Sequence, residues 1–220
     1  MQHKPPILLQ LPATLFILAF VPGNIAKLIV FLIVWTLTFR PFSKVELIFF
    51  ATTCLFFTGM NAASLQQGIF VFRHPDFLGM PVYELFMWGF YLLHTNRLIG
   101  GIAPPTERMA WVLALLYSIA FATISDQTLL LVVTGALLAI GLFRFHEILD
   151  LAYVGYMVFL GAAFEYTGVW SGEWYYPGNP VGGVPLWFIT LWGGVGLFLR
   201  RLVLPILARY ETGGKPASSA

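Results

Sequence analysis

The chain has 220 residues, of which 59% are hydrophobic and only 10% are charged. Soluble domains carry roughly 25% charged residues, and the mean hydropathy of +0.82 is typical of a protein embedded in lipid. This composition excludes a soluble catalytic domain, a nucleic-acid-binding protein and a disulfide scaffold, since Cys54 is the only cysteine. The net charge of +2 says little, because the position of each charge matters more in a membrane protein.

Apolar runs separated by polar breaks predict an all-α polytopic membrane bundle of about eight transmembrane helices. In chain order the predicted spans are 7–22, 26–39, 45–62, 82–98, 109–124, 127–143, 148–168 and 184–207. A helix needs about 20 residues to cross the hydrocarbon core, so the first span, which contains Pro12, is expected to be tilted or only partly inserted. A cleaved signal peptide is the alternative, because Lys4 precedes the apolar run, but no small-x-small cleavage site follows.

The basic residues predict the orientation of the chain. If all eight spans cross, 10 of the 12 basic residues lie on the side that holds both termini, and only Lys27 and Arg73 lie on the other. The ten are Lys4, Arg40, Lys44, Arg97, Arg108, Arg144, Arg200, Arg201, Arg209 and Lys215. Cytoplasmic loops carry an excess of lysine and arginine. We therefore expect both termini in the cytoplasm of a bacterial inner membrane, with a disordered tail at 211–220.

The chain contains an internal duplication, because an offset of 104 residues aligns 68–89 with 172–193 without a gap. Residue types that seldom match by chance coincide, among them Gly68/Gly172, Gly79/Gly183, Pro81/Pro185, Trp88/Trp192, Arg40/Arg144 and Arg97/Arg201. We predict two four-helix repeats, 1–103 and 104–210, joined at the Gly- and Pro-rich stretch GGIAPPTER. Four spans per repeat make the repeats parallel, related by an axis along the membrane normal, with a shared site at their interface.

Two acidic residues lie within apolar helices, where a charge costs about 2.5–3.5 kcal/mol at the helix centre. Glu84 follows Pro81 early in the fourth span, and Glu165 lies near the end of the seventh. Their equivalents in the other repeat are Phe188 and Asn61, so each half keeps one acid at a different position. Both are candidate catalytic groups. The alternative is a helix-end carboxylate in the headgroup region, which for Glu84 is also favoured by the helix N-terminus.

Other charged residues indicate structural roles. Glu173 lies in a loop and is predicted to be solvated, with a site role as the alternative. Glu46 and Asp150 are equivalent and begin their helices, so we interpret them as stabilisers of helix N-termini and as topology anchors. His146 and Glu147 are adjacent and face different ways on a helix, and no other spacing resembles a metal site. We therefore predict no metal and, without a recognisable motif, no cofactor.

Aromatic residues are concentrated around the repeated motif. Most are expected to form a belt at the membrane interface. Trp174 and Tyr176, however, lie two residues apart in a loop bounded by glycine and proline, and that loop could instead fold inward as a re-entrant lid. Together with Trp88, Tyr83 and Trp187 they are the candidate substrate-binding residues, because an aromatic face stabilises a cation by about 0.5–2 kcal/mol.

These motifs resemble the integral-membrane carotenoid cyclases of the heterodimeric lycopene cyclase type and the related membrane-bound carotenoid hydratases. In that family each half carries an acid, then G-x-W-x-Y or similar, then a glycine followed by P-x-E-E. The matching residues are Glu165, Gly172, Trp174, Tyr176, Gly183 and Pro185 for the first part, and Gly79, Pro81 and Glu84 for the second. Tyr83 stands where the family has its other glutamate, and Asn61 replaces the upstream acid of the first half.

The resemblance implies an enzyme that protonates an alkene of a polyisoprenoid, followed by cyclisation or hydration of the carbocation. Glu84 would be the proton donor and Glu165 a second acid or base, both opening into one cavity that a lipophilic substrate reaches from the membrane. The chemistry needs a carboxylic acid held neutral by burial, an aromatic cage and an apolar channel. Glutamine at either position is expected to remove or impair activity without disturbing the fold, since the amide keeps the size of the acid.

Two other functions remain open. Parallel repeats with acids at their junction also describe a small lipid or proton-coupled transporter, although few polar residues are present to line a water path. The third hypothesis is a non-catalytic membrane subunit that scaffolds a larger complex and tolerates the loss of both acids. The expected partners are membrane lipid and another membrane protein or further copies of the chain.

Overall fold

A computed structural model of the protein describes residues 5–178 and 180–211. The helices are α1 (Pro5–Phe20), α2 (Asn24–Phe39), α3 (Lys44–Gln66), α4 (Glu84–Ile99), α5 (Arg108–Thr123), α6 (Gln127–Phe145), α7 (Ile148–Ser171), α8 (Trp187–Phe198) and α9 (Leu204–Glu211). A π-helical turn, Leu199–Val203, joins α8 to α9. Two short strands, β1 (Val71–Phe72) and β2 (Trp174–Tyr175), pair antiparallel. The tail predicted to be disordered lies outside the described residues apart from its first residue, as do Lys4 and Lys215.

Each predicted span overlaps one observed helix, and α8, the π-helical turn and α9 together form the last span. Within the described residues, four segments are long and apolar enough to cross a membrane: Lys44–Gln66, Gln127–Phe145, Ile148–Ser171 and Val181–Tyr210. Three further helices, α1, α2 and α5, are apolar but shorter. α1 continues unbroken through Pro12. The prediction of an all-α membrane helix bundle is confirmed.

α3 and α7 begin with the same capping arrangement, which satisfies backbone N–H groups that a helix leaves unpaired. The Ser43 hydroxyl accepts from the Glu46 backbone N–H at 3.1 Å, and the Glu46 carboxylate accepts from the Ser43 N–H at 2.8 Å. At α7 the Asp150 carboxylate accepts from the Glu147 N–H at 3.0 Å, and the Glu147 side chain completes the box. The predicted role of Glu46 and Asp150 at helix N-termini is confirmed.

One end of the bundle, named here the sheet end, gathers the loops that carry β1 and β2. The α1–α2 turn joins them, because the Asn24 side chain donates to the His74 carbonyl at 2.7 Å. The α5–α6 turn lies at the same end, since the Gln127 side chain donates to the Pro177 carbonyl at 3.1 Å. Successive helices therefore run alternately towards and away from the sheet end.

At the opposite end, named the arginine end, arginines bind the carboxylates that start α3 and α7. Arg97 of α4 donates to both oxygens of Glu46, at 2.6 and 2.8 Å. Arg201 of the π-helical turn donates to both oxygens of Asp150, at 2.7 and 2.5 Å. No partner for either carboxylate was predicted from the sequence. The packing of α4 on α3, and of α8 on α7, brings in arginines from distant positions.

Contacts recur with the 104-residue offset that aligns the two halves of the sequence. Val71 pairs with its own equivalent, Tyr175, in the two-stranded sheet. Trp88 stacks on its equivalent, Trp192, with ring centroids 4.7 Å apart and planes at 24°. The two arginine–carboxylate pairs are also equivalent. The two halves of the chain therefore meet at the sheet and, about one turn into α4 and α8, at the tryptophan stack.

Candidate functional site

Glu165 of α7 is buried and accepts three hydrogen bonds from aromatic side chains. The indole N–H of Trp174 donates at 3.1 Å, the Tyr176 hydroxyl at 2.5 Å and the indole N–H of Trp192 at 3.0 Å. Only 8% of Glu165 is exposed. Each of these groups is a donor towards the carboxylate, so Glu165 acts as an acceptor at both of its oxygens.

The turn after α7 brings Trp174 and Tyr176 back over Glu165. Gly172 ends the helix at φ 80°, a left-handed conformation that favours glycine. Side chains two residues apart in an extended segment lie on the same face, so both aromatic groups reach the carboxylate. Gly168 leaves room for the indole, because a Cβ there would lie 2.0 Å from the Trp174 ring. The loop folds inward, and the belt interpretation is wrong for these two aromatic residues.

Glu84, the first residue of α4, is half-buried near the tryptophan stack. Its carboxylate accepts from the Asn61 side chain at 3.0 Å, and Trp88 lies one helical turn further along α4. The 104-residue offset aligns Asn61 with Glu165. The same position therefore carries an acid in the second half of the chain, and in the first half it carries an amide that donates to Glu84. Both candidate acids therefore have buried or half-buried polar partners, although the 104-residue offset does not align the two acids with each other.

The stacked tryptophans link the two acids. Trp192 donates to Glu165, while Trp88 lies one helical turn from Glu84 on α4. The Glu84 and Glu165 carboxylates are close enough to interact electrostatically. The two acids therefore lie on either side of the stack of Trp88 on Trp192, and Glu165 is hydrogen-bonded to it.

The five candidate substrate-binding residues divide into two groups. Trp88, Trp174 and Tyr176 surround the two acids, and Trp187 packs on Tyr176 with ring centroids 5.6 Å apart. The indole N–H of Trp187 is buried and has no hydrogen-bond partner among the described residues. Tyr83 is fully buried but belongs to a different cluster, because its hydroxyl donates to a Glu173 oxygen at 2.6 Å.

The cluster around Glu173 was not predicted from the sequence. Glu173 forms an ion pair with Lys27, and their side chains are 12% and 5% exposed, respectively. The prediction that Glu173 is solvated is therefore wrong, because the loop after α7 folds onto the first turn of α2. The sequence signal for a buried ion pair was Lys27, because it is a basic residue in an apolar helix. It also lies on the side of the predicted topology that holds few basic residues.

Two cavities lie near the sheet end. The first, of about 360 Å³, is lined by Ala19, Phe20, Val21, Pro22, Gly23, Asn24, Lys27, His74 and Glu173. The second, of about 490 Å³, is lined by Tyr166, Thr167, Val169, Trp170 and Gly182. Glu84 and Glu165 line neither of these two cavities.

No family model and no curated protein matches the sequence. The fold does match solved structures. The structure of MvINS, a mycobacterial Insig homologue from Mycobacterium vanbaalenii, is 16% identical with a TM-score of 0.63, and the match covers 78% of this chain and 98% of that chain. A cross-linked trimer of a cysteine variant of MvINS is 14% identical with a TM-score of 0.64, over 81% of this chain and 99% of that chain. The protein is an integral membrane protein with an Insig-like helical fold.

Proposed function

We propose that the protein is a non-catalytic membrane subunit that helps to hold a larger membrane assembly together. The observation that carries the proposal is the environment of Glu165, whose two oxygens accept from three buried donors. Through these hydrogen bonds the carboxylate joins α7 to the loop that follows it and to α8. Insig homologues as structural neighbours fit a subunit role better than a cyclase.

The environment of Glu84 supports the same role. Asn61 donates to its carboxylate, and the stack of Trp88 on Trp192 packs beside it. An acid that initiates catalysis has to reach the reacting atom of its substrate. Here the side chains beside both acids are bonded or stacked on one another, as in a structural junction.

We propose that eight helices cross the membrane as two parallel four-helix repeats, with both termini in the cytoplasm of a bacterial inner membrane. The alternation of helix direction, the recurring contacts at an offset of 104 residues and the basic residues at the arginine end support this topology. A phosphatase reporter that is active only outside the cytoplasm should be inactive when fused after Ala220 and active when inserted at Gly178. An active C-terminal fusion would reverse the topology.

The proposed partners are membrane lipid and further copies of this chain. Apolar side chains cover the outer faces of the helices, including Phe143 at 89% exposed and Trp170 at 74% exposed. MvINS has been crystallised as a cross-linked trimer, which supports self-association as the form of assembly to test.

A second candidate function is the acid-initiated cyclisation or hydration of a polyisoprenoid alkene, as the sequence resemblance implies. The observation in its favour is the gathering of Glu84, Glu165 and three aromatic side chains at one junction. In this alternative Glu84 supplies the proton, because it has fewer bonded donors than Glu165. The acids would then open to substrate only after the tryptophan stack separates.

One experiment separates the two functions. Wild type and Glu84→Gln are expressed in a bacterial host that makes acyclic carotenoids, the carotenoids are analysed by chromatography, and the mass of the gently solubilised protein is measured. For a subunit we expect an unchanged carotenoid profile and the same oligomeric mass for both proteins. A cyclic or hydrated product that depends on Glu84 would establish the enzyme instead, and a monomer in both preparations would contradict the assembly role. Asp126→Asn, an acid-to-amide change at a helix N-cap, is the control for expression.

A further inference from the structure

The first cavity at the sheet end holds one buried cation and one largely buried anion. Lys27 lies in the first turn of α2 and is 4% exposed, and its ammonium group pairs with Glu173 from the loop after α7. The second oxygen of Glu173 accepts from Tyr83, which precedes α4. Three separate segments of the chain therefore converge on one pair of opposite charges.

The fold itself does not require this ion pair. A lysine in the first turn opposes the helix dipole, and taking two charges out of water costs several kcal/mol per ion. The equivalents of Lys27 and Glu173 in the other repeat are Leu131 and Ile69. The same helix start is thus built with apolar residues in one half and with a buried ion pair in the other, which indicates a role for the charges beyond packing.

Lys27 and Glu173 both line the same cavity. Its volume of about 360 Å³ lies within the range of small-molecule sites. An ammonium group has three N–H donors and a carboxylate has about four lone-pair positions, so Lys27 and Glu173 keep bonding capacity beyond their mutual contact. Asn24 and His74 add polar groups at the rim. A ligand with both an anionic and a cationic group would match this lining.

The opposite wall of the cavity is apolar and continues onto the membrane-facing surface of α1. Phe20 lines the cavity and is 61% exposed, and Phe16, one turn away, is 62% exposed. The two rings are 5.0 Å apart, and Phe20 packs edge-on against Trp170 at 6.2 Å. A polar pocket that opens onto an exposed apolar strip suits an amphiphile with a charged head and hydrocarbon chains.

We propose that this cavity binds the headgroup of a zwitterionic phospholipid, with the phosphate at Lys27, the ammonium at Glu173 and the acyl chains along Phe16 and Phe20. A purely anionic headgroup would meet the Glu173 carboxylate, and a purely cationic one would meet the Lys27 ammonium. The site is separate from the two acids at the tryptophan stack. It therefore holds whether the protein is a subunit or an enzyme.

Native mass spectrometry of the full chain in detergent tests the site. Phosphatidylethanolamine and phosphatidylglycerol with the same acyl chains are added separately, together with a third arm of soluble phosphoethanolamine. We expect wild type to retain phosphatidylethanolamine about tenfold better than phosphatidylglycerol, since one favourable charge contact corresponds to about that factor in affinity. Phosphoethanolamine should bind at least tenfold more weakly than the lipid, because it lacks the chains that contact α1.

Variants of the two charges give the sharper result. Glu173→Gln should invert the preference towards phosphatidylglycerol, because Lys27 then faces the ligand alone. The double variant Lys27→Met/Glu173→Gln removes both charges, leaves no unpaired ion to disturb folding, and should lose the preference. Lys44→Met, which removes an exposed lysine at the arginine end, is the matched control. Equal retention of both lipids by wild type, an unchanged preference in the double variant, or binding of phosphoethanolamine as tight as that of the lipid would overturn the proposal.

Discussion

Glu165→Gln should lower the free energy of unfolding by about 2–4 kcal/mol, because the change places an N–H donor against groups that are themselves donors. Trp174 and Tyr176 both donate to one oxygen, and Trp192 donates to the other. Whichever way the amide turns, its NH2 group faces at least one buried donor. The size of the side chain is kept, but at least one hydrogen bond is replaced by a repulsive contact.

The measurement is the thermal unfolding of the detergent-solubilised protein, followed by tryptophan fluorescence. Asp126→Asn is the control, since Asp126 accepts from the Leu129 backbone N–H at 2.7 Å and asparagine caps a helix equally well. We expect a clearly lower melting temperature for Glu165→Gln and no change for the control. A melting temperature equal to that of wild type would show that the hydrogen bonds of Glu165 do not stabilise the fold, and the subunit proposal would lose its main support.

This expectation reverses the one drawn from the sequence, in which glutamine was neutral for folding. The sequence shows that Glu165 is an acid near a helix end, but not that its neighbours are all donors. Trp192 lies 27 residues further on and reaches Glu165 only because α8 packs against α7. The effect of the substitution depends on the type of each partner, which only the packed structure reveals.

The helices were predictable because each is an apolar run bounded by polar or helix-breaking residues. Gly23 separates α1 from α2, and Ser43 with Glu46 begins α3. The part of the Glu165 site that follows Glu165 closely in the sequence could also be predicted. A glycine followed by aromatic residues two apart predicts a turn that presents both to one face, as Gly172, Trp174 and Tyr176 do.

The Lys27–Glu173 pair could not be predicted in the same way. Its members are 146 residues apart in the chain, and neither has a charged equivalent in the other half, so the duplication does not point to it. The offset aligns residues with equivalent positions but does not say which helices touch. For the same reason the sequence did not show that Arg201 binds Asp150.

The two arginine–carboxylate pairs allow the effect of burial to be measured within one protein. Arg201 and Asp150 are 2% and 0% exposed as residues, whereas the side chains of Arg97 and Glu46 are each 18% exposed. Arg201→Met keeps the aliphatic bulk but leaves a buried carboxylate without its main partner, and we expect a loss of about 3–5 kcal/mol in the free energy of unfolding. Arg97→Met leaves the more accessible Glu46 carboxylate and the Phe39 and Pro41 carbonyls without their donor, and should cost less, about 1–2 kcal/mol.

The loss at Arg201 should fall at the lower limit, because Arg200 lies 3.9 Å from the same carboxylate and partly replaces the missing charge. The double variant Arg201→Met/Asp150→Asn tests the cause. It removes the buried negative charge together with its partner, while the amide oxygen of asparagine can still accept from the Glu147 backbone N–H. The two other acids paired with Arg201, Glu147 and Glu107, have side chains that are 48% and 25% exposed and can be hydrated. The double variant should therefore melt closer to wild type than Arg201→Met does. If the single substitutions at Arg201 and Arg97 lowered the melting temperature equally, or if the double variant were the least stable protein, the difference between the pairs would not arise from an unpaired buried charge.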